Sequence, residues 1–312
     1  MHPSIDIIIV NWNAGDLLFE CIDSIGKSIK SIFELKRVVV IDNASNDNSI
    51  EKIKSIDLPL IIIKNSCNMG FARASNQGAK DSNADFLLFL NPDTKLFEDS
   101  ICKPIEFMLQ QGSQNYGIIG IRIINEKNET TKNCARFPSP FNFIFASIGL
   151  SKLFPNIFQN SIMEEWDHNA SMIVDHVMGS FFLVRRNIFE KLNGFDERFF
   201  VYLEDLDFSL RAKKLGFNSY YLSTTSVYHK GGGTSEKVKA NRLSYILHSK
   251  LVYSHKHFSK PAFITIFFVT FFLEPFFRIA YVLIQGIPRD ASEIIKGYKK
   301  LVTKFISNKF RF

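Results

Sequence analysis

Glycine-rich phosphate-binding motifs are missing from this sequence of 312 residues. Neither GxxxxGKS/T nor GxGxxG follows an apolar run, which excludes a P-loop and the dinucleotide fingerprint of a Rossmann fold. The four cysteines, at positions 21, 67, 102 and 134, form no CxxC pair, so neither a zinc site nor a disulfide framework is predicted. A phosphorylated ligand then needs another partner for its charge, and a divalent cation held by carboxylates is the natural one.

Signals for export and for nucleic-acid binding are also scarce. The first residues carry no basic region, and Asp6 and Asn11 interrupt the first apolar run, so no signal peptide is predicted and the catalytic part is expected in the cytoplasm. The net charge of +7 suits nucleic acid, anionic lipid or a phosphorylated substrate, and an ordinary solvated surface is the alternative. Because no recognisable motif interleaves aromatic and basic residues, we expect no nucleic-acid partner.

What the sequence does contain is a set of short apolar runs that end in asparagine or aspartate. The runs and the polar residues that follow them are Ile5–Val10 with Asn11, Val38–Ile41 with Asp42, Leu60–Ile63 with Asn68, and Phe86–Leu90 with Asn91. Helical patterns separate three of these runs, which indicates parallel strands. Their polar ends are then expected at one carboxyl edge, where open α/β sheets bind ligands.

The rest of the pattern predicts a doubly wound, mostly parallel sheet flanked by helices. Further strands are predicted at Ile118–Ile124, Val177–Val184 and Asn218–Leu222, a helix at Glu204–Leu215, a helix cap at Ser45–Asp47, and a glycine-rich loop at His229–Ser235. The polar, aromatic stretch from Asn125 to Val174 is interpreted as loops and short helices over the active site.

The C-terminal tail, from Ala262 onward, differs in composition from the rest of the chain. Ala262–Leu273 carries no charge, Glu274-Pro275 is expected to break this helical stretch, and basic residues follow. A spanning helix needs about 20 uninterrupted apolar residues, so the pattern favours a bent hairpin or helices lying in the membrane interface. An ordinary core helix pair is the alternative. We predict a catalytic domain over residues 1–240 and a helical membrane-associating region over residues 241–312.

Several polar residues have side chains suited to a phosphorylated nucleotide. Asp93 follows a strand and a stiffening proline, so its carboxylate is a candidate ligand for Mg²⁺ or Mn²⁺, although a plain turn is the alternative. Asp42 is a candidate acceptor for the imide N–H of uracil or thymine, or a helix cap. Arg73 offers a fixed positive charge among small residues. His229 offers a metal contact or a phosphate donor, although a lone histidine is more often structural.

Acidic residues are concentrated late in the catalytic region. Five acids fall within residues 196–207 among aromatic side chains. Clustered carboxylates against apolar walls suit a general base. The alternative is a charged first turn of a helix, which the helix dipole favours.

Taken in order, these motifs resemble the family 2 inverting glycosyltransferases of the GT-A fold. The matching segments are Ile7–Asn13 (IIIVNWN), Val40–Asp47 (VIDNASND), Asn68–Ala72 (NMGFA), Leu90–Thr94 (LNPDT), Gly194–Glu197 (GFDE) and Glu204–Asp207 (EDLD). The usual metal motif of this fold is Asp-x-Asp, and here Asn91 stands in place of the first acid. That departure is similar to the rhamnosyltransferase branch, which uses dTDP-L-rhamnose.

The resemblance implies a role for each matching residue. Asp205 is the expected base that deprotonates the acceptor hydroxyl, and Glu204 is expected to orient the base or the acceptor. Asp93 is expected to bind the metal ion and diphosphate, with His229 as a further ligand. The implied donor-binding set is Val10, Asn11, Asn13, Asp42, Asn68, Gly70, Phe71, Arg73, Asn76, Asn91 and Asp93.

The function expected from this resemblance is transfer of a sugar, with inversion, from a nucleotide sugar. L-rhamnose from dTDP-L-rhamnose is the expected donor sugar, and a lipid-linked or growing polysaccharide is the expected acceptor, at the cytoplasmic face of the membrane. A UDP-hexose donor is the alternative within the same class. A non-catalytic nucleotide-sugar-binding scaffold of a polysaccharide assembly complex is the alternative from another class.

Overall fold

The computed structural model describes residues 2–28, 32–231 and 238–307 of the chain. The chain divides into two compact units. Unit 1 consists of Met1–Arg136, Ile162–Asp196 and Asp205–Thr234, and unit 2 consists of Phe137–Ser161, Glu197–Glu204 and Ser235–Phe312. Unit 2 therefore joins the predicted tail to two earlier segments, and the domain boundary at residue 240 stays a prediction.

The secondary structure of the described residues alternates strands and helices through unit 1 and is helical in the tail. The strands are β1 (Ser4–Asn11), β2 (Glu34–Asp42), β3 (Leu60–Lys64), β4 (Phe86–Leu90), β5 (Thr94–Leu96), β6 (Tyr116–Ile124), β7 (Cys134–Ala135), β8 (Met172–Val174), β9 (His176–Val177), β10 (Phe181–Arg185) and β11 (Asn218–His229). The α-helices are α1 (Asp16–Lys27), α2 (Ser49–Ile53), α3 (Phe71–Ala79), α4 (Cys102–Leu109), α5 (Pro140–Ser147), α6 (Leu150–Leu153), α7 (Arg186–Lys191), α8 (Glu204–Lys214), α9 (Lys239–His257), α10 (Lys260–Phe268), α11 (Glu274–Ile284) and α12 (Pro288–Ile306).

The main sheet of unit 1 is mixed but mostly parallel in its first half. Its strand order is β3-β2-β1-β4-β10-β6-β11-β5, with β8 paired to β11. Strand β1 pairs in parallel with β2 and β4, β2 with β3, and β6 with β11. Strand β10 is antiparallel to both of its neighbours, and β5 and β8 are antiparallel to β11. The predicted fold class, a mostly parallel sheet flanked by helices, is confirmed.

Helices cover both faces of this sheet. Ile7 and Ile9 of β1 pack in one buried cluster with Leu18 of α1. Ile8, which points to the other face, packs in a second cluster with Ala72 of α3. Because both faces are buried, the central strands are continuous apolar runs rather than alternating ones.

The strand predicted at Val177–Val184 is divided in two by the structure. Val177 belongs to β9, where it pairs with Cys134 of β7 in a separate two-stranded sheet. The chain then turns, and β10 begins only at Phe181, opposite Leu90 of β4. Gly179 and Ser180 lie within the apolar run at the point where the chain leaves one sheet for the other.

Strand β11 is longer than predicted. The predicted strand ended at Leu222, whereas the structure continues it to His229. A register shift between Leu222 and Ser226 accommodates the polar residues, and the strand then resumes its pairing with β6. The last residues of β11 also pair with β5, with His229 opposite Thr94. Of the predicted loop at His229–Ser235, residues 232–235 lie outside the described residues.

The predicted cap at Ser45–Asp47 is confirmed only at its last residue. Helix α2 starts at Ser49, whose N–H donates to Asp47 Oδ1 at 3.2 Å, whereas Ser45 Oγ accepts from the Asn13 N–H. Ala44 has a φ of 58°, and this turn directs the Ser45 hydroxyl toward the end of β1 instead. The helix at Glu204–Lys214 agrees with its prediction and is followed by Gly216, whose φ is 88°.

In unit 2, α10 and α11 form one continuous helix rather than the predicted broken one. This helix, Lys260–Ile284, has 25 residues and is long and apolar enough to cross a membrane, judged by length and composition only. The expected break at Glu274-Pro275 is therefore wrong. A π-helical turn at Val269–Leu273 precedes the proline, and such turns accommodate a missing i to i−4 bond without ending the helix.

The charge in the middle of this helix is buried inside unit 2. Glu274 is 1% exposed and forms ion pairs with Lys250 of α9 and with Arg278, whose Nη2 lies 2.7 Å from Glu274 Oε1. Lys250 Nζ also donates to Ser147 Oγ of α5 at 3.0 Å. The carboxylate is thus satisfied by protein groups, while Phe276 on the same helix is 72% exposed.

A buried histidine in α9 makes the stability of the protein dependent on pH. Burial, together with the charge of Lys304, lowers the pKa of His248 to about 3 from its usual 6.5. Between these two values the unfolded chain binds a proton that the folded chain does not, so stability is complete above pH 6.5 and falls as the pH decreases. At pH 5 the free energy of unfolding should have dropped by about 2 kcal/mol on this account.

The measurement is chemical denaturation of the wild-type protein and of His248→Gln at pH 7.5 and pH 5. We expect the variant to lose less stability between the two pH values than the wild type does. An equal loss in both proteins would show that His248 is not the group responsible.

Candidate functional site

The ends of β1 and β2 form one corner of the site. Asn11 lies opposite Asp42 in the parallel register, and both side chains are buried. Asn11 Nδ2 donates to Asp42 Oδ1 at 3.0 Å and to Ser45 Oγ and Ser49 Oγ at 3.0 and 2.8 Å. The expectation that the polar strand ends meet at one edge is confirmed for this pair, and Val10 precedes it in the buried strand.

The loops after these two strands are cross-linked. The Asn13 N–H donates to Ser45 Oγ at 2.9 Å, and Asn13 Oδ1 accepts from the Asn46 N–H at 2.7 Å. Asn43 Nδ2 donates to the carbonyl oxygen of Gly70 at 3.1 Å, which ties the end of β2 to the start of α3. Asn43 lies within the matching segment Val40–Asp47, and this positioning role was not predicted for it.

The segment before α3 is shaped by a glycine. Gly70 has a φ of 85°, and its N–H donates to Asn68 Oδ1 at 2.9 Å before Phe71 begins the helix. Arg73 is exposed on α3. Asn76 bonds to the main chain of Phe195 with both ends of its amide, at 2.8 and 2.9 Å. These bonds give Asn76 a structural partner, and its contact with the donor stays a prediction.

A second cluster pairs Asp93 with His229. Asp93 Oδ1 lies 3.1 Å from His229 Nε2, and both side chains are mostly buried. The pairing of β5 with β11 produces this contact, because it puts His229 opposite Thr94, the residue that follows Asp93. Asn91 Nδ2 lies 3.4 Å from the same ring nitrogen.

A cysteine lies beside this cluster. The Cys21 thiol donates to the carbonyl oxygen of Asn91 at 3.5 Å. Burial, reinforced by the charge of Asp93, raises the pKa of Cys21 far above its ordinary value. The side chain therefore stays a neutral thiol and packs as a small apolar group.

The third cluster surrounds Asp205 at the start of α8. Its Oδ2 accepts from the Gly179 N–H and its Oδ1 from the Leu206 N–H, both at 2.8 Å. A Cβ at position 179 would lie 2.9 Å from Asp205 Oδ2, so only glycine allows this approach. The carboxylate is thus held at both oxygens in a fixed orientation.

A buried histidine lies behind this carboxylate, and the sequence analysis did not identify it. His176 Nε2 is 3.6 Å from Asp205 Oδ2, and His176 Nδ1 is 3.0 Å from Ser209 Oγ. Burial lowers the pKa of His176 below its ordinary value, although the charges of Asp205 and Asp175 oppose the shift. The only sequence signal is a polar residue within an apolar run shortly before a glycine.

The other acids of this region have different surroundings. Asp207 is fully buried and pairs with Arg211, whose Nε lies 2.7 Å from Asp207 Oδ2. Arg211 also donates to the carbonyl oxygens of Leu192 and Gly194. Glu204 is buried as well. Arg211 therefore neutralises a buried acid on its own helix.

Main-chain bonds connect the second and third clusters. The Asn91 N–H donates to the Ser180 carbonyl oxygen at 3.1 Å, and Thr94 Oγ1 donates to the same oxygen at 3.3 Å. Ser180 directly follows Gly179, which holds Asp205. The Asp205 carboxylate and the segment Asn91–Thr94, which carries Asp93, are therefore both bonded to the turn that precedes β10.

Few side chains are available as ligands for a metal ion, but those present have suitable chemistry. Among the described residues, no group of three or more histidine, cysteine, aspartate or glutamate side chains is arranged to hold a metal. Asp93 and His229 bring a carboxylate oxygen and an imidazole nitrogen within 3.1 Å of each other, and Mn²⁺ accepts both types of ligand. This pair fits a cation whose remaining ligands come from a diphosphate and water.

The fold of unit 1 is shared with solved structures. The chain has the GT-A fold of glycosyltransferases. It superimposes with a TM-score of 0.56 and 15% identity on the mannosyltransferase PcManGT from Pyrobaculum calidifontis in complex with GDP-Man and Mn²⁺, over 97% of this chain and 88% of that one.

The family follows from the sequence match. The chain belongs to glycosyl transferase family 2, whose model matches residues 6–192. It is 26% identical over 265 residues to a low-salt glycan biosynthesis hexosyltransferase of Haloferax volcanii, covering 83% of this chain and 78% of that protein. It is 25% identical over 230 residues to the N-acetylglucosaminyl-diphospho-decaprenol L-rhamnosyltransferase of Mycobacterium tuberculosis, covering 69% and 73%. The expected family and its glycosyltransferase activity are confirmed.

Proposed function

We propose that this glycosyltransferase inverts the anomeric carbon of its donor sugar, with Asp205 as the base. The observation that carries the proposal is one turn bonded to both segments: the Gly179 N–H donates to the Asp205 carboxylate, and the Ser180 carbonyl accepts from the N–H of Asn91, two residues before Asp93. One group is thereby available for the acceptor hydroxyl and the other for the donor diphosphate. A single in-line displacement needs both and needs no covalent enzyme intermediate.

The chain's own residues prepare this displacement. The N–H groups of Gly179 and Leu206 fix the orientation of the Asp205 carboxylate, so an acceptor hydroxyl meets a base that is already in position. As the hydroxyl oxygen attacks the anomeric carbon, its proton moves to Asp205. The bond from that carbon to the diphosphate breaks at the same time, and the electron pair leaves with the diphosphate. Glu204 is proposed to orient the base or the acceptor.

Asp93 and His229 are the residues proposed to hold Mg²⁺ or Mn²⁺. When bound, the cation neutralises charge that develops on the leaving diphosphate. The contact of 3.1 Å between the carboxylate and the imidazole supports the assignment, as does the chemistry of the two ligands. Asn91 contributes no charge, so this site binds a cation less tightly than a pair of carboxylates does.

We further propose dTDP-L-rhamnose as the donor. The similarity to a mycobacterial L-rhamnosyltransferase supports it, as does Asn91 at the position of the first metal acid. Asp42, Asn11 and the main chain at Val10 are proposed to hold the pyrimidine. The remaining donor contacts are proposed for Asn13, Asn68, Gly70, Phe71, Arg73 and Asn76. A UDP-hexose is the competing donor, because Asp42 meets the same imide N–H in uracil and thymine.

The proposed acceptor is a lipid-linked or growing polysaccharide at the cytoplasmic membrane surface. The name of one relative, which includes a diphospho-decaprenol, supports this proposal. We propose that residues 1–240 form the catalytic domain and that residues 241–312 bind the membrane without spanning it. The apolar helix Lys260–Ile284 exposes Phe268, Phe272 and Phe276. Helix α12 packs beside it and exposes three lysines, at positions 296, 299 and 300, which suit anionic lipid.

The first prediction concerns the base. Asp205→Asn should lower the rate of transfer at least about 100-fold, because an amide cannot take the proton of the acceptor. Binding of dTDP, measured by calorimetry, should stay within a few-fold of wild type, since the base acts on the acceptor. Asp23→Asn, the same change at an exposed position of α1, is the control. Wild-type transfer by a folded Asp205→Asn protein would remove the base assignment, and the non-catalytic scaffold predicts no transfer by any variant.

A donor competition tests the proposed sugar. With dTDP-L-rhamnose, UDP-glucose, UDP-galactose and UDP-N-acetylglucosamine offered together on a lipid-linked acceptor, we expect rhamnose to be transferred best and only with Mg²⁺ or Mn²⁺ present. The preference should be modest, since one methyl group is worth about 1–3 kcal/mol. Transfer should be lost in Asp93→Ala. A clear preference for any UDP-sugar would exclude the rhamnose assignment and leave the family activity intact.

Binding to lipid vesicles tests the membrane-binding surface proposed for the helix Lys260–Ile284. The double variant Phe268→Ser and Phe276→Ser removes two exposed apolar side chains from the helix Lys260–Ile284. Its partition onto anionic phospholipid vesicles should fall at least tenfold, because each buried phenylalanine contributes about 1.5–3 kcal/mol. The control is Phe97→Ser with Leu109→Ser, two exposed apolar residues of unit 1. Equal partition of both variants and the wild type would contradict this placement of the surface.

A further inference from the structure

The imidazole of His176 has no part in the mechanism described above, yet it is one of the most enclosed polar groups near the site. Its side chain is 5% exposed, and its Nε2 lies 3.6 Å from Asp205 Oδ2. This separation is too long for a hydrogen bond in the resting protein. A buried ring nitrogen next to the base, without a bond to it, calls for a chemical explanation.

Hydrogen bonds around Ser209 determine which ring nitrogen of His176 carries the proton. Ser209 Oγ donates its single hydrogen to the main-chain oxygen of Asp205 at 3.0 Å. Toward His176 Nδ1, at 3.0 Å, the hydroxyl can then only accept. The neutral ring is therefore protonated at Nδ1, and the lone pair of Nε2 points to the carboxylate of Asp205.

The protonation state of the ring agrees with this arrangement. Burial lowers the pKa of His176, while the charges of Asp205 and Asp175 act in the opposite direction without reversing the shift. The imidazole is therefore neutral at pH 7.5. Two electron-rich groups, Nε2 and a carboxylate oxygen, then face each other, which accounts for the 3.6 Å separation.

We infer that His176 is a positioning residue whose Nε2 accepts a hydrogen bond from Asp205 once Asp205 holds the proton of the acceptor. The inference rests on the proposed role of Asp205 as base. In the transfer step, the acceptor O–H bond breaks as its oxygen bonds to the anomeric carbon, and the diphosphate leaves with the electron pair of the broken bond. The proton ends on Asp205 Oδ2, where it points to Nε2.

This bond exists only as the reaction proceeds. The ionised carboxylate has no hydrogen to offer Nε2, whereas the protonated carboxyl has one. An interaction that forms only with proton transfer stabilises the transition state more than the ground state, and so it raises kcat rather than donor affinity. Ser209 contributes by keeping the ring in the tautomer that leaves Nε2 unprotonated.

The kinetic test compares three variants of the full-length protein. His176→Leu removes the acceptor nitrogen and should lower kcat about tenfold, the value of one hydrogen bond of about 1.4 kcal/mol, with the donor KM within twofold of wild type. His176→Gln keeps an acceptor in its amide oxygen and should recover most of the loss. Ser209→Ala frees the tautomer and should lower kcat in the same way. Wild-type kcat in His176→Leu, or an equal loss in the leucine and glutamine variants, would overturn the inference.

A spectroscopic measurement on the wild-type protein keeps the inference falsifiable where a variant does not fold. In protein labelled with ¹⁵N-histidine, the His176 ring should show a protonated Nδ1 and an unprotonated Nε2 at pH 7.5. A protonated Nε2 would overturn the inference. If Asp205→Asn retains transfer, the base assignment fails. If Asp205→Asn is inactive while His176→Leu matches wild type, only the role of His176 fails.

Discussion

Parallel pairing of β1 with β2 puts Asn11 opposite Asp42, and the rest of the proposed donor site depends on that register. A slip of one residue would turn every side chain of the strand to the other face. In the observed register Ile7 packs in the cluster on one face of the sheet and Ile8 in the cluster on the other. Asn11, Asp42 and the Asn43–Gly70 contact are then all presented at the carboxyl edge. Core packing and site geometry are, in this sense, set by the same strand.

The residues proposed to act in the reaction, Asp93, His229 and Asp205, are positioned by antiparallel strands. Antiparallel β10 begins at the turn that holds Asn91 on one side and Asp205 on the other. Antiparallel pairing of β5 with β11 supplies His229 to Asp93. The Gly179 N–H and the buried His176 lie beside the proposed base, whereas Asp207 is paired with Arg211.

Local sequence patterns were sufficient for the fold class and for the strand ends, because a continuous apolar run followed by Asn or Asp is a property of neighbouring residues. They were insufficient wherever the outcome depends on distant pairing. The extension of β11 to His229 requires a register shift, and a run of serine and threonine does not predict it. The contact of His176 with Asp205 joins residues 29 positions apart in sequence. In unit 2, Glu274 was expected to break a helix. Its ion-pair partner Lys250 lies on α9, and no local sequence pattern predicts that pair.

The most direct test of the account is a crystal structure of the protein with dTDP and Mn²⁺. The account predicts the pyrimidine beside Asp42 and Asn11, and an anomalous manganese signal within ligand distance of Asp93 and His229. We also expect the diphosphate to lie near the turn before β10, on the same side of that turn as Asp205. Nucleotide bound away from the carboxyl edge, or manganese bound to the nucleotide without a contact to Asp93, would contradict it.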